Sequence, residues 1–148
     1  MLQDSWLFSG TIRENIQMGF NEYDDDYLLN ICKVAGVYDF VGPQPKGYEM
    51  EIRERGLGLS GGQKQTINLA RSLLHDPKVL LLDEPTSSMD QGTEKKVVNQ
   101  LKSFCANKTM MIVTHRNPIL VMVDRVFVLE NGKIVADQTP SQLGLKKD

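Results

Sequence analysis

The chain has 148 residues, of which 41% are hydrophobic, and a formal net charge of −2. This composition suits one globular unit or a piece of a larger one. Because acidic and basic residues are interspersed, the sequence offers no basic surface for nucleic acid or for an anionic membrane. No apolar stretch approaches the roughly 20 residues that span a bilayer, so a soluble piece is expected. Cys32 and Cys105 match no metal-ligand spacing, which predicts two reduced, buried thiols in a cytosolic setting.

The first half of the chain predicts helices on either side of an irregular segment. Residues 11–14 form a capping-box pattern, which predicts the start of a short helix. Apolar residues at helical spacing over 27–35 predict a second helix that ends at Gly36. Residues 42–58 are rich in proline, glycine and charge, so an irregular surface segment is expected there. A longer helix is predicted after Ser60.

The second half predicts a parallel crossover followed by a hairpin. Residues 79–82 are an unbroken apolar run, as expected for a parallel strand that is covered on both faces, and residues 110–113 are a second apolar strand. The stretch between them carries an apolar helical stripe over residues 97–105, which completes a strand, helix, strand unit. Residues 126–135 predict a hairpin around an Asn-Gly turn, and residues 139–142 predict the cap of a last helix.

The start of the helix after Leu59 is a candidate anion site. Ser60 stands at the N-cap, Gly61 and Gly62 follow it, and Gln63 completes a capping-box pattern. Unpaired N–H groups and the positive end of the helix dipole favour a phosphate there, and glycines let it approach the backbone. Taken alone, the same pattern is also explained by helix capping without a ligand.

Two apolar strands end in residues that suit phosphate chemistry. Asp83 and Glu84 follow the first strand, and His115 comes just after the second. In open α/β sheets this end of the strands is where ligands bind. One acid can hold magnesium through water, the other can activate a water, and the imidazole can hydrogen-bond a γ-phosphate. The alternatives are a solvated acidic strand end and a structural histidine.

These motifs, in this order, resemble the ATPase domain of ATP-binding-cassette (ABC) transporters. The resemblance covers nearly the whole chain, and five motifs in order are highly specific. They are the Q-loop glutamine Gln3, the signature at 59–63, the Walker B strand at 79–84, the D-loop at 88–90 and the switch histidine His115.

The resemblance implies a truncated α/β P-loop NTPase domain with a partial parallel sheet and an α-helical signature subdomain. The helical part is expected at about residues 9–75, and the Walker B to C-terminal α/β part at about 76–148. No Gly-x-x-x-x-Gly-Lys-Ser/Thr motif occurs, so the phosphate loop, or Walker A segment, is missing. The chain is therefore expected to start partway through the domain and to be inactive alone.

The resemblance also implies roles for individual residues toward ATP and Mg²⁺. Glu84 is expected as the general base, and Asp83 as the acid on the magnesium side. His115 is expected to sense the γ-phosphate. Gln3 is expected to contact both the metal and the coupling helix of the membrane domain. The residues expected to bind ATP across a head-to-tail dimer are Ser60, Gly61, Gly62 and Gln63 of the signature, and Asp90 is expected to link the two sites.

The sequence at residues 9–16 and 54–56 is similar to that of ABC exporters. Among exporters, the chain resembles bacterial type 1 secretion ATPases most. The expected partners are a transmembrane domain, a second ABC ATPase domain and an exported protein or toxin, with no nucleic acid. The expected location is the cytoplasmic face of the bacterial inner membrane. The sequence departs from the common exporter pattern at Lys64, at Thr66 and over residues 85–90, which leaves the transported substrate open.

Two other functions remain open at this stage. The chain can be a non-catalytic interaction module that docks through the segment around Trp6 and the region before Ser60. It can also be a soluble ABC ATPase of DNA repair or translation, which the lack of a basic surface disfavours.

Overall fold

The computed structural model describes residues 6–20 and 23–145. The chain divides into two compact units, Met1–Thr114 and His115–Asp148. Within the described ranges, every helix is too short or too polar to cross a membrane. The division into residues 9–75 and 76–148 stays a prediction about the subdomains of the family.

The first unit contains five helices and four short strands among its described residues. The helices are α1 Ile12–Gln17, α2 Asp25–Ala35, α3 Tyr38–Val41, α4 Gly61–Leu73 and α5 Gln91–Phe104. The strands are β1 Gly10–Thr11, β2 Glu51–Ile52, β3 Val79–Asp83 and β4 Thr109–Val113. The helix predicted to start at 11–14, the helices predicted over 27–35 and after Ser60, the helical stripe at 97–105 and the strands at 79–82 and 110–113 are all present.

Capping residues set the ends of these helices, as the sequence predicts. The Thr11 hydroxyl accepts a 3.0 Å hydrogen bond from the Glu14 N–H, and the Glu14 carboxylate accepts one of 2.7 Å from the Thr11 N–H. This reciprocal pair is the predicted capping box of α1. At the C-terminal end of α2, Gly36 adopts a left-handed φ of 83° and terminates the helix.

The core of the first unit lies between helices. α2 packs against α4 and α5, and α1 packs against α4. Ile31 of α2, Leu69 of α4 and Leu101 of α5 are all fully buried. A Cβ atom at Gly36 would lie 2.8 Å from a methyl group of Val97, so the end of α2 approaches α5 as closely as glycine allows.

β3 and β4 pair in parallel around α5, which confirms the predicted crossover. The register pairs Val79 with Thr109 at one end and Asp83 with Val113 at the other. Since both strands run the same way, their carboxyl ends lie at the same edge of the sheet. This arrangement places the end of β4 beside Asp83, the last residue of β3, and Glu84, which follows it.

The expectation that β3 is covered on both faces is wrong. Leu80 and Leu82 are 3% and 2% exposed, whereas Val79 and Leu81 are 59% and 62% exposed. Met111 of β4 shares the open face at 64%. Successive side chains of a strand point to opposite faces, so this alternation means that only one face of the pair is packed.

Residues 42–58 are mostly irregular, as predicted, but they include a short pairing. β2 pairs antiparallel with β1, with Gly10 opposite Ile52 and Thr11 opposite Glu51. Two single turns of 3₁₀ helix, Gly47–Glu49 and Glu54–Gly56, flank β2. The pairing thus ties the start of α1 to this segment.

The described part of the second unit contains helix α6 Asn117–Leu120 and strands β5 Val126–Glu130 and β6 Lys133–Gln138. The two strands form the predicted antiparallel hairpin. Asn131 and Gly132 connect them with φ values of 49° and 75°, the left-handed pair that a two-residue type I′ turn requires. The Arg125 guanidinium makes two hydrogen bonds, of 2.7 and 2.6 Å, to the Asp137 carboxylate beside the hairpin.

The prediction of a last helix after Thr139 is wrong for the described residues. Gln142 and Thr139 do make the reciprocal capping bonds, of 2.8 and 3.4 Å. However, Gly144 adopts a left-handed φ of 75°, and the Leu145 N–H donates to the Pro140 carbonyl at 3.0 Å. This is a helix-terminating geometry, so the segment ends after one turn.

Candidate functional site

The N-terminus of α4 is capped by its own side chains. The Ser60 N–H donates to Gln63 Oε1 at 2.9 Å, and the Gln63 N–H donates to Ser60 Oγ at 3.2 Å. Since Ser60 Oγ is an acceptor in this pair, the hydroxyl keeps its own proton for another acceptor. The first N–H groups of a helix have no partner inside the helix, and the dipole makes this end positive. The helix start therefore satisfies its cap and still offers donors to an anion.

A cleft with a volume of about 430 Å³ lies in front of this helix start. Its walls come from residues 60–63, from the loop 88–90, from Gly36 and from α3. The predicted ATP-binding residues of the signature thus share one cleft with Asp90. Their role in binding ATP stays a prediction.

The glycines of the signature permit a close approach to the D-loop. A Cβ atom at Gly62 would lie 3.0 Å from the carbonyl oxygen of Ser88, and one at Gly61 would lie 3.3 Å from the Ser88 Cβ. Both distances are tighter than ordinary contacts, and the first involves a backbone atom. The glycines are therefore required for packing within the chain, and the approach of a phosphate to them stays a prediction.

Asp90 is the N-cap of α5. Its carboxylate accepts hydrogen bonds from the N–H groups of Gly92 and Thr93, at 2.9 and 3.0 Å, and from the Thr93 hydroxyl at 2.7 Å. The bond from the Thr93 hydroxyl and the backbone bonds lower the pKa of this carboxyl. Asp90 therefore has a structural task within the chain, and its expected link across a dimer stays a prediction.

Asp83 and Glu84 lie at the carboxyl end of β3. The Glu84 N–H donates to the Val113 carbonyl at 2.8 Å and so extends the ladder with β4 by one step. Glu84 itself adopts a φ of 44°, in the left-handed region. For a residue other than glycine this costs on the order of 1–3 kcal/mol, so the surroundings must hold it. The Thr114 hydroxyl lies 3.4 Å from the Glu84 carboxylate, on the side of β4.

Gln65 of α4 holds Glu84 from the other side, a contact that the sequence motifs do not predict. Its side-chain amide donates to the Glu84 carbonyl at 2.6 Å and to Ser87 Oγ at 3.0 Å, and it accepts from the Ser88 N–H at 2.9 Å. Gln65 stands one helical turn before the buried Leu69 and is itself 8% exposed. A polar residue at a buried helical position needs a hydrogen-bond partner, so the position of Gln65 on the helix is the feature of the sequence that could have indicated this contact.

The positions of Gln3 and His115 relative to this group stay predictions. Gln3 lies outside the described residues. His115 is exposed and begins the second unit, directly after Thr114 in the chain. The expectation that it lies beside Glu84 stays a prediction.

The donor set at the end of β3 fits Mg²⁺ when phosphate completes the coordination. Within residues 6–20 and 23–145, no three His, Cys, Asp or Glu side chains are grouped so that they could hold a metal ion by themselves. Mg²⁺ commonly binds to one or two carboxylates, keeps several waters and takes its other ligands from substrate phosphates. A single carboxylate, Asp83, is consistent with that mode and leaves Glu84 for the proposed role of base.

The segment that begins at Trp6 is anchored to the helical part. The Arg71 guanidinium donates to the Trp6 carbonyl at 2.8 Å, and the Arg55 N–H donates to the Leu7 carbonyl at 2.8 Å. The Arg55 guanidinium stacks 4.7 Å from the centre of the Trp6 ring. Trp6 remains 59% exposed, so its ring is available on the surface.

Comparison with known proteins identifies the class. A family model described as ABC transporter matches residues 1–87. The ABC multidrug transporter atrD of Emericella nidulans is 42% identical over 147 residues, which are 98% of this chain and 11% of that protein. A putative multidrug export ATP-binding/permease protein of Staphylococcus aureus is 40% identical over 145 residues, which are 98% of this chain and 25% of that protein. A solved bacterial Atm1-family ABC exporter with ATP bound is 34% identical with a TM-score of 0.84, over 95% of this chain and 25% of that one.

The fold is thus that of a mixed α/β domain of the P-loop NTPase type. The chain belongs to the ABC transporter family, and it corresponds to part of the ATPase domain of ABC exporters. It spans between 11% and 25% of the length of these relatives.

Proposed function

We propose that this chain is part of the ATP-hydrolysing domain of an ABC exporter, which couples ATP hydrolysis to transport across a membrane. The observation that carries the proposal is the direct connection between the end of β3 and the N-terminal end of α4. Glu84, at the end of β3, is hydrogen-bonded through Gln65 to the same helix whose N-terminus offers donors to an anion.

On this proposal the end of β3 supplies the acid and base chemistry. Glu84 orients the attacking water and accepts its proton, while Asp83 would hold Mg²⁺ through a water molecule. When bound, Mg²⁺ neutralises negative charge on the phosphates. Thr114 lies 3.4 Å from the Glu84 carboxylate and helps to restrict its orientation. His115 is the proposed hydrogen-bond partner of the γ-phosphate, and Gln3 is the proposed contact to the metal.

The signature end of α4 serves a second nucleotide. In a head-to-tail dimer of ATPase domains, the Ser60 hydroxyl and the first N–H groups of α4 bind phosphate oxygens of ATP that is held mainly by the partner domain. The free proton of the Ser60 hydroxyl is what makes this contact a donation. Gln63 supports the contact through the capping box. Asp90, in the same cleft, links the two sites.

A transmembrane domain is the second proposed partner. The bacterial relative is named an ATP-binding/permease protein, which combines both functions in one chain. The exposed Trp6 ring, fixed by Arg55 and Arg71, is the proposed contact on this chain. The domain would then act at the cytoplasmic face of the membrane.

For the substrate, we propose small drug-like molecules, because relatives that match 98% of this chain are named multidrug transporters. Type 1 secretion of a protein or toxin, which the sequence analysis favours, stays a prediction. This choice is tested on the complete protein. Uptake of a fluorescent cationic drug into inverted vesicles would support drug export, and ATP-dependent release of a co-expressed protein would support secretion.

The experiment that tests the ATPase function is Glu84→Gln in the complete protein. The amide keeps the shape but cannot accept the proton, so turnover should fall by at least about 100-fold while ATP still binds. Turnover equal to that of the unchanged protein would remove Glu84 from the role of base. Absence of turnover in the unchanged protein itself would favour the non-catalytic interaction module.

A further inference from the structure

We propose that Gln65 is a positioning residue for ATP hydrolysis, which fixes Glu84 and the D-loop residue Ser88 against the signature helix. The inference rests on the function proposed above and adds to it a residue that touches no substrate. Gln65 acts through Glu84, because its side chain reaches the backbone of Glu84.

Both polar atoms of the Gln65 side chain are used. Nε2 donates to the Glu84 carbonyl at 2.6 Å and to Ser87 Oγ at 3.0 Å, which employs both amide protons. Oε1 accepts from the Ser88 N–H at 2.9 Å. With 8% of its surface exposed, Gln65 makes these bonds away from bulk water, where a lost partner is costly to replace.

These bonds complete the fixation of an unusual backbone conformation. The Glu84 N–H is held by the Val113 carbonyl on β4, and the Glu84 carbonyl is held by Gln65 on α4. The two peptide groups that flank the Glu84 Cα are therefore anchored to different elements. This double anchor stabilises the left-handed φ of 44°, and with it the direction in which the carboxylate leaves the strand.

The same side chain sets the spacing between the D-loop and the signature. The Ser88 N–H is bound to Gln65, and the Ser88 carbonyl lies so near Gly62 that a Cβ atom there would be 3.0 Å away. In the proposed dimer, Glu84 serves one ATP and Ser60 serves the other. Gln65 lies on the helix that Ser60 caps, so it holds together groups that belong to two different sites.

The test is Gln65→Met in the complete protein, measured by steady-state ATP hydrolysis. Methionine keeps the length and a similar helix propensity but removes the donors and the acceptor. We expect kcat to fall by roughly 100-fold, as for a small misplacement of a reacting group, with KM for ATP little changed. The matched control is Gln100→Met on the exposed side of α5, which should hydrolyse ATP as the unchanged protein does. A kcat for Gln65→Met equal to that of this control would overturn the proposal.

A double variant tests whether Gln65 acts through Glu84. If it does, Gln65→Met combined with Glu84→Gln should be no slower than Glu84→Gln alone, because the base is already lost. A double variant that is slower than Glu84→Gln alone, by the same factor that Gln65→Met causes in the unchanged protein, would overturn the proposal. Unchanged turnover in Glu84→Gln alone would instead refute the role of Glu84 in the proposed function, so the two failures are distinguishable.

Gln65→Glu separates the two halves of the contact and covers the case in which the methionine variant does not fold. The carboxylate still accepts from the Ser88 N–H but cannot donate to the Glu84 carbonyl. Slow hydrogen exchange at the Ser88 amide together with a kcat as low as that of Gln65→Met is the expected result. Turnover at the level of the unchanged protein would overturn the proposal.

Discussion

The Thr86 hydroxyl donates a 2.7 Å hydrogen bond to the Glu94 carboxylate, and the two side chains are 0% and 1% exposed. Glu94 lies in the first turn of α5, and Thr86 lies in the loop that joins Glu84 to Asp90. A carboxylate buried this deeply is stable only when donors surround it. The bond therefore fixes the middle of the loop between the proposed base and the D-loop.

Thr86→Val should destabilise the protein, because it keeps the shape of the side chain and removes this donor. We expect the free energy of unfolding in urea to fall by about 1–3 kcal/mol. The matched control is Thr109→Val, the same change at an exposed position of β4, which should alter it by less than about 0.5 kcal/mol. Equal effects in the two variants would contradict the importance of the buried bond.

Two substitutions of Ser60 separate capping from phosphate binding. Ser60→Ala removes the acceptor for the Gln63 N–H and should cost about 1 kcal/mol of stability. Ser60→Asp restores an N-cap acceptor but has no proton to donate and adds a negative charge. Urea unfolding should therefore show near-normal stability for the aspartate variant, while ATPase assays of the complete protein should show strongly reduced turnover. Normal turnover in Ser60→Asp would exclude the hydroxyl as a phosphate donor.

The parts of the fold that could be predicted depend mostly on residues that are close together in the sequence. The capping pair Thr11 and Glu14, the terminating Gly36 and the Asn131-Gly132 turn each act within a few residues. The pairing of β1 with β2 involves only two residues on each strand, so no periodicity reveals it. The open face with Val79 and Leu81 was missed because an apolar run does not show which of its two faces is covered.

The same distinction applies to the candidate site. Ser60 and the pair Asp83 and Glu84 stand at the ends of regular elements, where the sequence alone indicates their chemistry. The contacts of Gln65 join residues 19 to 23 positions apart, and they exist only once α4 packs beside the loop after β3. A pattern of neighbouring residues cannot specify such contacts, although the buried helical position of a glutamine indicates that a partner is needed.

Asp90 should make stability depend on pH in the acid range. Its pKa is lowered from 3.8 in the folded chain by the bonds from Thr93 and Gly92. A carboxyl with a depressed folded pKa adds stability above its unfolded pKa, and this contribution disappears as the pH falls through the folded pKa. Asp90→Asn keeps an acceptor for the cap but does not titrate. The difference in Tm between the unchanged protein and this variant should therefore be constant from pH 5 to 7 and shrink below about pH 4. A difference that stays constant down to pH 2 would show that Asp90 does not titrate as described.

The cysteines should resist thiol reagents until the protein unfolds. Both are free and buried, as the sequence predicts, and burial raises the pKa of the Cys32 thiol from 9.0 to about 12. At pH 8 only on the order of one Cys32 in 10⁴ would then be a thiolate, which is the reactive form. Burial also raises the pKa of Cys105, so that thiol should be slow as well. In the Cys105→Ala variant, where Cys32 is the sole thiol, DTNB should react at pH 8 only as urea unfolds the chain, with the same midpoint as the loss of helical circular dichroism. Rapid stoichiometric labelling without urea would show that the contact of α2 with α4 and α5 opens in the native state.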